Sequence, residues 1–409
     1  MQTNIFHSLL SNSTENGLLQ NLNLSQHDEK ELTRARDEIK QALSQGFLDA
    51  RSNARRQKLD YEVPSPRFAM QGSYVYRTLN APAHPPGQQV DIDLGVYLPF
   101  RALGNGEKPR YATQFYFETV IRILESHIES KRKGKWILIA DKDTCVRVQI
   151  SDRTHIDLPL YATPESVFNQ VKDALSQSLA LNESENRLFK SMNSFDQEAT
   201  LLERVSPTEI HLAHREKGWV PSNALVIRDW VKFSCASKGA NNQVRGVCRY
   251  LKAWRDEKWQ DGSGAPSSIL LLAFVIRVYE HSSNHHCELL KDVIIQLPNA
   301  FNLPILVPCP TPEDSLAKED LRNRLGSGEK KAFIESFNEL KNAYLTAKSC
   351  ESKTHSNKIL VNIFGERLPF SPEKIKQDVN VEPTKVAAVV KTAKRRVEPL
   401  RTTEASTSG

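Results

Sequence analysis

The sequence predicts an α+β protein of two lobes, a small one built on a mixed sheet and a larger one made of helices. Three observations predict it. Strand-like apolar runs cluster between about residues 64 and 162. Apolar residues at helical spacing then fill 224–234, 242–261 and 266–280. The 409 residues are 39% hydrophobic and 25% charged, enough to bury one large core or two moderate ones.

The elements follow in order. Ser25 with Asp28 three residues on reads as a helix N-cap, and the charged stretch behind it predicts a helix over 26–50. Leu32, Ala35, Ile39, Ala42 and Leu43 form its apolar stripe. A basic linker follows, then a Gly- and Pro-richer segment over 64–100 whose clearest strand is QVDIDLGVYLPF. Residues 113–132 return to helical periodicity, and 136–141, 145–151 and 154–162 read as three strands of one sheet. The polar stretch 165–205 is expected to be helical, as is 328–348. Residues 371–409 are rich in Lys, Glu, Pro, Ser and Thr and are expected to be a disordered tail. The expected division is therefore 1–165 for the first lobe, 166–370 for the second and 371–409 for the tail. No repeat of 20–50 residues is visible.

Composition excludes several classes. No apolar run is long enough to span a bilayer, and the first residues lack the pattern of a secretory leader. Six cysteines without CxxC spacing suit reduced thiols, so a cytoplasmic protein is expected. A net charge of +6 over this length does not by itself argue for nucleic acid. His211 with His214, and His285-His286-Cys287, lack a second cluster at zinc-finger spacing and are not read as zinc ligands. GSGEKK at 326–331 does not make a P-loop.

The chemistry rests on Gln71-Gly72-Ser73, Asp91-Ile92-Asp93 and His155-Ile156-Asp157. Residues i and i+2 of a strand share a face, so Asp91 and Asp93 project together. Adjacent carboxylates repel unless a cation lies between them. Mg²⁺ takes one or two carboxylates and completes its shell with water and phosphate oxygens. A third carboxylate from Asp157 would allow two ions about 3.5–4 Å apart, the arrangement of in-line phosphoryl transfer. A Gly-Ser turn opening into a helix offers backbone N–H groups and a hydroxyl to a triphosphate. His155 is read as structural, because no acid or base partner is identifiable in the sequence, and Trp254 and Trp259 as helix packing. A lone DxD is weak; Gly-Ser, then DxD, then an aspartate in an apolar strand is far more restrictive.

With these motifs in hand, QGSYVYRTLN, PPGQQVDIDLGVYLP, THIDLPLYATP, VCRYLKAWRDEKW and GAPSSILLLAFV resemble, in this order, blocks of the cGAS/DncV-like nucleotidyltransferase family. The matching span is about 66–280. The resemblance implies a polymerase-beta-like catalytic lobe, a helical lobe, and a nucleotide cleft between them. It makes Asp91, Asp93 and Asp157 the ligands of two Mg²⁺ ions. Gln71, Gly72 and Ser73 would hold a donor triphosphate, with Tyr76 near its base. Lys252 and Ser268 would reach the triphosphate from the opposite wall, Ser222 would add a nucleotide contact, and Arg147 would lie on the acceptor side. The implied activity is synthesis of a cyclic oligonucleotide, with ATP and GTP giving cyclic GMP-AMP as the best match. The implied setting is an anti-phage signalling system in which the product activates an effector. No membrane and no obligatory nucleic acid is implied. Some members carry a C-terminal glycine that a conjugating enzyme of E1/E2 type joins to an amine, which makes Gly409 a conjugation candidate. The residues themselves leave open a linear oligoadenylate synthase, an RNA terminal nucleotidyltransferase and a silent nucleotide binder.

Overall fold

The protein is described here from a computed structural model. The described residues run from 3 to 378, without 12–15, 59–62, 64, 100–109, 132–133, 164–209, 223, 239–240, 282 and 312. The helix expected within 165–205 and the chain beyond 378, Gly409 included, lie outside them.

The chain starts not on the first lobe but on the second. Strand β1 (Thr3–Ile5) pairs antiparallel with β11 (Lys376–Asp378), and Phe6, Leu9, Leu10, Leu18 and Leu22 sink into the core of the helical lobe. The expected boundaries move accordingly. Residues 3–11 and 16–22 belong with the helices, whose core takes Leu9, Leu10, Leu18 and Leu22. The expected tail is anchored as far as 378, with Ile375 fully buried.

Next comes a 31-residue helix, Gln26–Arg56, capped by Ser25 accepting from the Asp28 N–H at 3.0 Å. Its stripe of Leu32, Ala35, Ile39, Leu43 and Phe47 lies on the sheet with the helix Arg110–Ser130. The seven-stranded sheet runs β2 (Arg67–Gln71), β3 (Val90–Pro99), β6 (Thr154–Thr163), β5 (Cys145–Gln149), β4 (Ile137–Ile139). β7 (His211–His214) joins the far end of β6, and β8 (Gly218–Pro221) pairs with β7. β3 and β6 are parallel and the other pairs antiparallel, so the sheet is mixed as expected. Pro159, which has no N–H to donate, falls where β6 passes from β5 to β7.

The period of two divides the labour of β3. Val90, Ile92, Leu94, Val96 and Leu98 face the two helices and are buried there. Asp91, Asp93, Gly95 and Tyr97 take the other face. That face looks toward the helical lobe, built on Ala224–Ser237, Asn241–Lys258, Ser268–Val278, His286–Gln296, Ser327–Ser349 and Lys353–Phe364. The short hairpin of β9 (Leu306–Pro308) and β10 (Lys318–Asp320) closes its edge. Trp254 packs edge-on to Trp259 inside this lobe, as the sequence suggests. No helix among the described residues is long and apolar enough to cross a membrane.

The two lobes are stitched along the segment after β2. Arg245 donates to the Tyr76 carbonyl (2.8 Å), and Asn80 and Arg249 exchange hydrogen bonds of 3.0 and 2.9 Å. Gln88 caps the carbonyls of Asp256 and Trp259, and Arg367 holds those of Ala81 and Ala253. These bonds bring the helix Asn241–Lys258 opposite the acidic face of the sheet.

Candidate active site

A cleft of about 600 Å³ separates the lobes, lined on the sheet side by Gly72, Ser73, Tyr76, Asp91, Asp93 and His155. Lys252, Arg255, Asp256 and Ser268 line the helical side, with Arg324 at its edge. Six of the sequence-derived residues therefore meet in it, besides Gly72.

Strand register builds the acidic wall. In the parallel pair β3–β6, Asp91 stands beside His155 and Asp93 beside Asp157, all on one face. β5 extends the rows, with Arg147 opposite Asp157 and Gln149 opposite His155. Arg147 clasps Asp157 through two parallel bonds, Nε to Oδ1 at 2.5 Å and an Nη to Oδ2 at 2.7 Å. Asp157 is 8% exposed and, like Arg147, does not line the cleft itself.

Asp93 has no such clasp. Burial, together with the charges of Asp91 and Asp157, pushes its carboxyl up to about 7. Its Oδ2 lies against Gly72, where an added Cβ would sit 1.9 Å away. Gly72 also has φ +64°, a left-handed value that suits glycine. The Gly-Ser turn and the DxD strand are thus one unit, since only a residue without Cβ lets the carboxylate reach this place. Ser73 follows in a single helical turn, Gly72–Val75, beside the carboxylates.

Gln71 lies elsewhere. Its side chain turns into the sheet, donating to the Tyr97 hydroxyl (2.7 Å) and accepting from that of Tyr161 (3.0 Å). Gly95 makes the room, because a Cβ there would meet Gln71 Nε2 at 2.2 Å. With Tyr97 and Tyr161 stacked at 4.8 Å, Gln71 braces the floor beneath the acidic row. Ser222 follows β8, its N–H donating to the Ile210 carbonyl at 3.1 Å, and does not line the cleft. Gly409 is outside the described residues.

The opposite wall is basic. Lys252 is 4% exposed and donates to the Thr78 carbonyl at 2.7 Å. Burial, with Arg255 nearby, lowers its ammonium to about 8. One helical turn on, Arg255 donates to Ser268 Oγ (2.9 Å) and to Asp256. The sequence reading missed Arg255, although its i+3 spacing from Lys252 on an apolar helix was the available signal. Tyr76 lines the cleft with its hydroxyl well buried; burial, and then Asp93, raise its pKa.

Do these residues suit divalent cations? Asp91 and Asp93 line the cleft with Asp157 beside them on β6, and Asp91 Oδ1 lies 3.0 Å from His155 Nε2. Among the described residues Asp91, His155 and Asp157 bring one ligand atom each within 4.8 Å of the others. The oxygen-rich donor set and the high carboxyl pKa of Asp93 both fit a bound cation. The arrangement can hold metal on one wall and phosphates on the other.

Two family models match the chain. One is the nucleotidyltransferase domain of cyclic GMP-AMP synthase DncV-like proteins, over residues 66–161; the other is the cyclic GMP-AMP synthase C-terminal domain, over 241–377. A cyclic GMP-AMP synthase of Escherichia coli is 32% identical over 317 residues, 76% of this chain and 69% of that protein. The Vibrio cholerae cyclic GMP-AMP synthase is 30% identical over 315 residues, 75% of this chain and 69% of its own. The fold matches V. cholerae DncV crystallised with the linear intermediate 5′ pppA(3′,5′)pG, at TM-score 0.72 and 24% identity, over 92% of this chain and 100% of that one. DncV in complex with GTP and 5MTHFGLU2 matches at 0.73 and 25%, with the same coverage.

Proposed function

Since the chain belongs to the DncV-like nucleotidyltransferase family, we propose that it joins ATP and GTP into cyclic GMP-AMP with release of pyrophosphate, using two Mg²⁺ ions. The observation that carries this reading is the pair Asp91 and Asp93, with Asp157 next to them on β6, facing Lys252 and Arg255 across one cleft. Bound Mg²⁺ would lower the pKa of the attacking hydroxyl and neutralise charge on the phosphates.

The chain's own residues set the geometry. The 3′-hydroxyl of one nucleotide forms a bond to the α-phosphorus of the other, and the bond from that phosphorus to the β-phosphate oxygen breaks. Asp91, Asp93 and Asp157 hold the cations. Ser73, with the N–H groups of its turn, binds the triphosphate from the sheet side, and Lys252 and Arg255 bind it from the helical side. Arg147 keeps Asp157 in one orientation. Tyr76 offers its ring to the donor base. After the first bond, the linear intermediate turns so that its remaining 3′-hydroxyl closes the ring. Positioning and charge neutralisation carry such a reaction, so each carboxylate matters.

The setting we propose is a cytoplasmic anti-phage system in which the cyclic product activates an effector and Gly409 is a site of conjugation. The deciding experiment is incubation of the pure protein with four NTPs and Mg²⁺, followed by phosphatase treatment and mass spectrometry. A phosphatase-resistant product with the mass of cyclic GMP-AMP is expected. Linear oligoadenylate, extended RNA or no turnover would each replace the reading with another.

A further inference from the structure

We propose that Gln88 is a positioning residue of the reaction, fixing the distance between the start of β3, with its two aspartates, and the helix end that carries Lys252 and Arg255. The inference rests on the nucleotidyl-transfer reading of the cleft and adds to it a residue outside the aspartate and Gly-Ser motifs.

The hydrogen bonds of one side chain carry the argument. Gln88 Nε2 donates to the carbonyls of Asp256 (2.6 Å) and Trp259 (2.8 Å). Its Oε1 accepts from the backbone N–H groups of Ala83 (3.3 Å) and His84 (3.4 Å). Carbonyls only accept and backbone N–H groups only donate, so the amide sits one way round. Asp256 belongs to the last turn of the helix Asn241–Lys258, where carbonyls lack intrahelical donors. Gln88 thus supplies from the sheet lobe a donor that the helix end needs.

The position of Gln88 in the chain makes this bond different from the other stitches. Arg245, Arg249 and Arg367 tie the same helix to Tyr76, Asn80 and Ala81, all in the segment after β2. Gln88 instead holds the residues that lead into β3. It stands three residues before Asp91, and the Val90 N–H is already fixed on the Arg153 carbonyl at 2.7 Å. On the other side, Asp256 directly follows Arg255. The path from metal-binding carboxylate to phosphate-binding cation is therefore one side chain and a few backbone bonds. Without it the helix stays tied to the sheet lobe, but its last turn is free to move relative to Asp91 and Asp93. Backbone contact sets how near the two segments come, since a Cβ on Gly262, at φ +75°, would meet the Gly87 carbonyl oxygen at 3.0 Å. His84 Nε2, 3.0 Å from Glu257 Oε2, supports the same junction through a partly exposed pair, of the kind that contributes little.

The test is steady-state turnover of the full chain with ATP, GTP and Mg²⁺, beside a melting curve and a titration with Mn²⁺ alone. Gln88→Met keeps the length of the side chain and loses the four bonds of its amide. It is expected to lower kcat by about tenfold or more well below its melting temperature, since a misplacement of about 1 Å costs on the order of a hundredfold. KM for both nucleotides and the affinity for Mn²⁺ should stay within about threefold of wild type, because each wall is intact and only their spacing is lost. Gly262→Ala, which wedges the loop away from the helix, is expected to show the same split and decides the matter where Gln88→Met does not fold. Wild-type kcat in the folded variants, or a loss confined to KM or to temperatures near melting, overturns the inference and leaves the functional reading standing. Failure of wild type to form any product from ATP and GTP overturns both.

Discussion

Replacing Asp93 by asparagine should make the metal-free protein more stable, although it removes part of the catalytic apparatus. The carboxyl of Asp93 is pushed from an ordinary 3.8 to about 7 by burial and by the charges of Asp91 and Asp157. A rise of that size corresponds to about 4 kcal/mol at pH 8. Asp93 lies at the mouth of the cleft and is only partly buried, so solvent screening reduces the expected gain to about 1–2 kcal/mol. The folded protein holds the Asp93 proton longer than the unfolded chain does. Wild-type stability from this group is therefore full below about pH 4 and is lost as pH rises to about 7. Urea unfolding in EDTA should thus show the advantage of Asp93→Asn at pH 8 and little of it at pH 4.5. Added Mg²⁺ should reverse the order, because wild type gains binding energy that the variant lacks. A variant no more stable than wild type at pH 8, or equally advantaged at both pH values, would refute the repulsion argument.

Four further outcomes are expected. Gly72→Ala should abolish metal binding and product formation, since its Cβ would stand 1.9 Å from Asp93 Oδ2. Gly218→Ala, also at positive φ but with nothing within 4 Å, should lose only about 1 kcal/mol of stability and keep its rate, both checked by unfolding and turnover. Lys252→Met should weaken ATP and GTP binding about tenfold, because a charge-assisted bond is worth roughly 1.5–3 kcal/mol, while the unfolding temperature holds or rises. Calorimetric titration beside a melting curve decides it, and unchanged affinity counts against Lys252 as a phosphate ligand. Arg147→Gln should tighten Mn²⁺ binding by removing a positive charge next to Asp157, yet lower turnover at least tenfold by freeing that carboxylate to rotate. Turnover equal to wild type would reduce the clasp to packing.

What the sequence determined by itself was local. Alternation along QVDIDLGVYLPF set which β3 residues face the two helices and put Asp91 and Asp93 on the other face. The Ser25 cap and the stripe of Leu32, Ile39 and Leu43 announced the first long helix. The block VCRYLKAW placed Lys252 on a buried helix. Such features follow from periods of 2 and 3.6, which short windows of sequence carry. The tertiary structure decided whatever depends on which strands become neighbours. Parallel pairing of β3 with β6 set His155 against Asp91, where the sequence showed no partner for it. Antiparallel pairing of β5 gave Arg147 to Asp157, and the hollow at Gly95 drew Gln71 away from the cleft into a buried network. The N-terminal leucines and Ile375 also found their lobe only through long-range packing. Each of these contacts joins residues through the sheet or the core rather than along the chain, and no local pattern fixes the register that creates them.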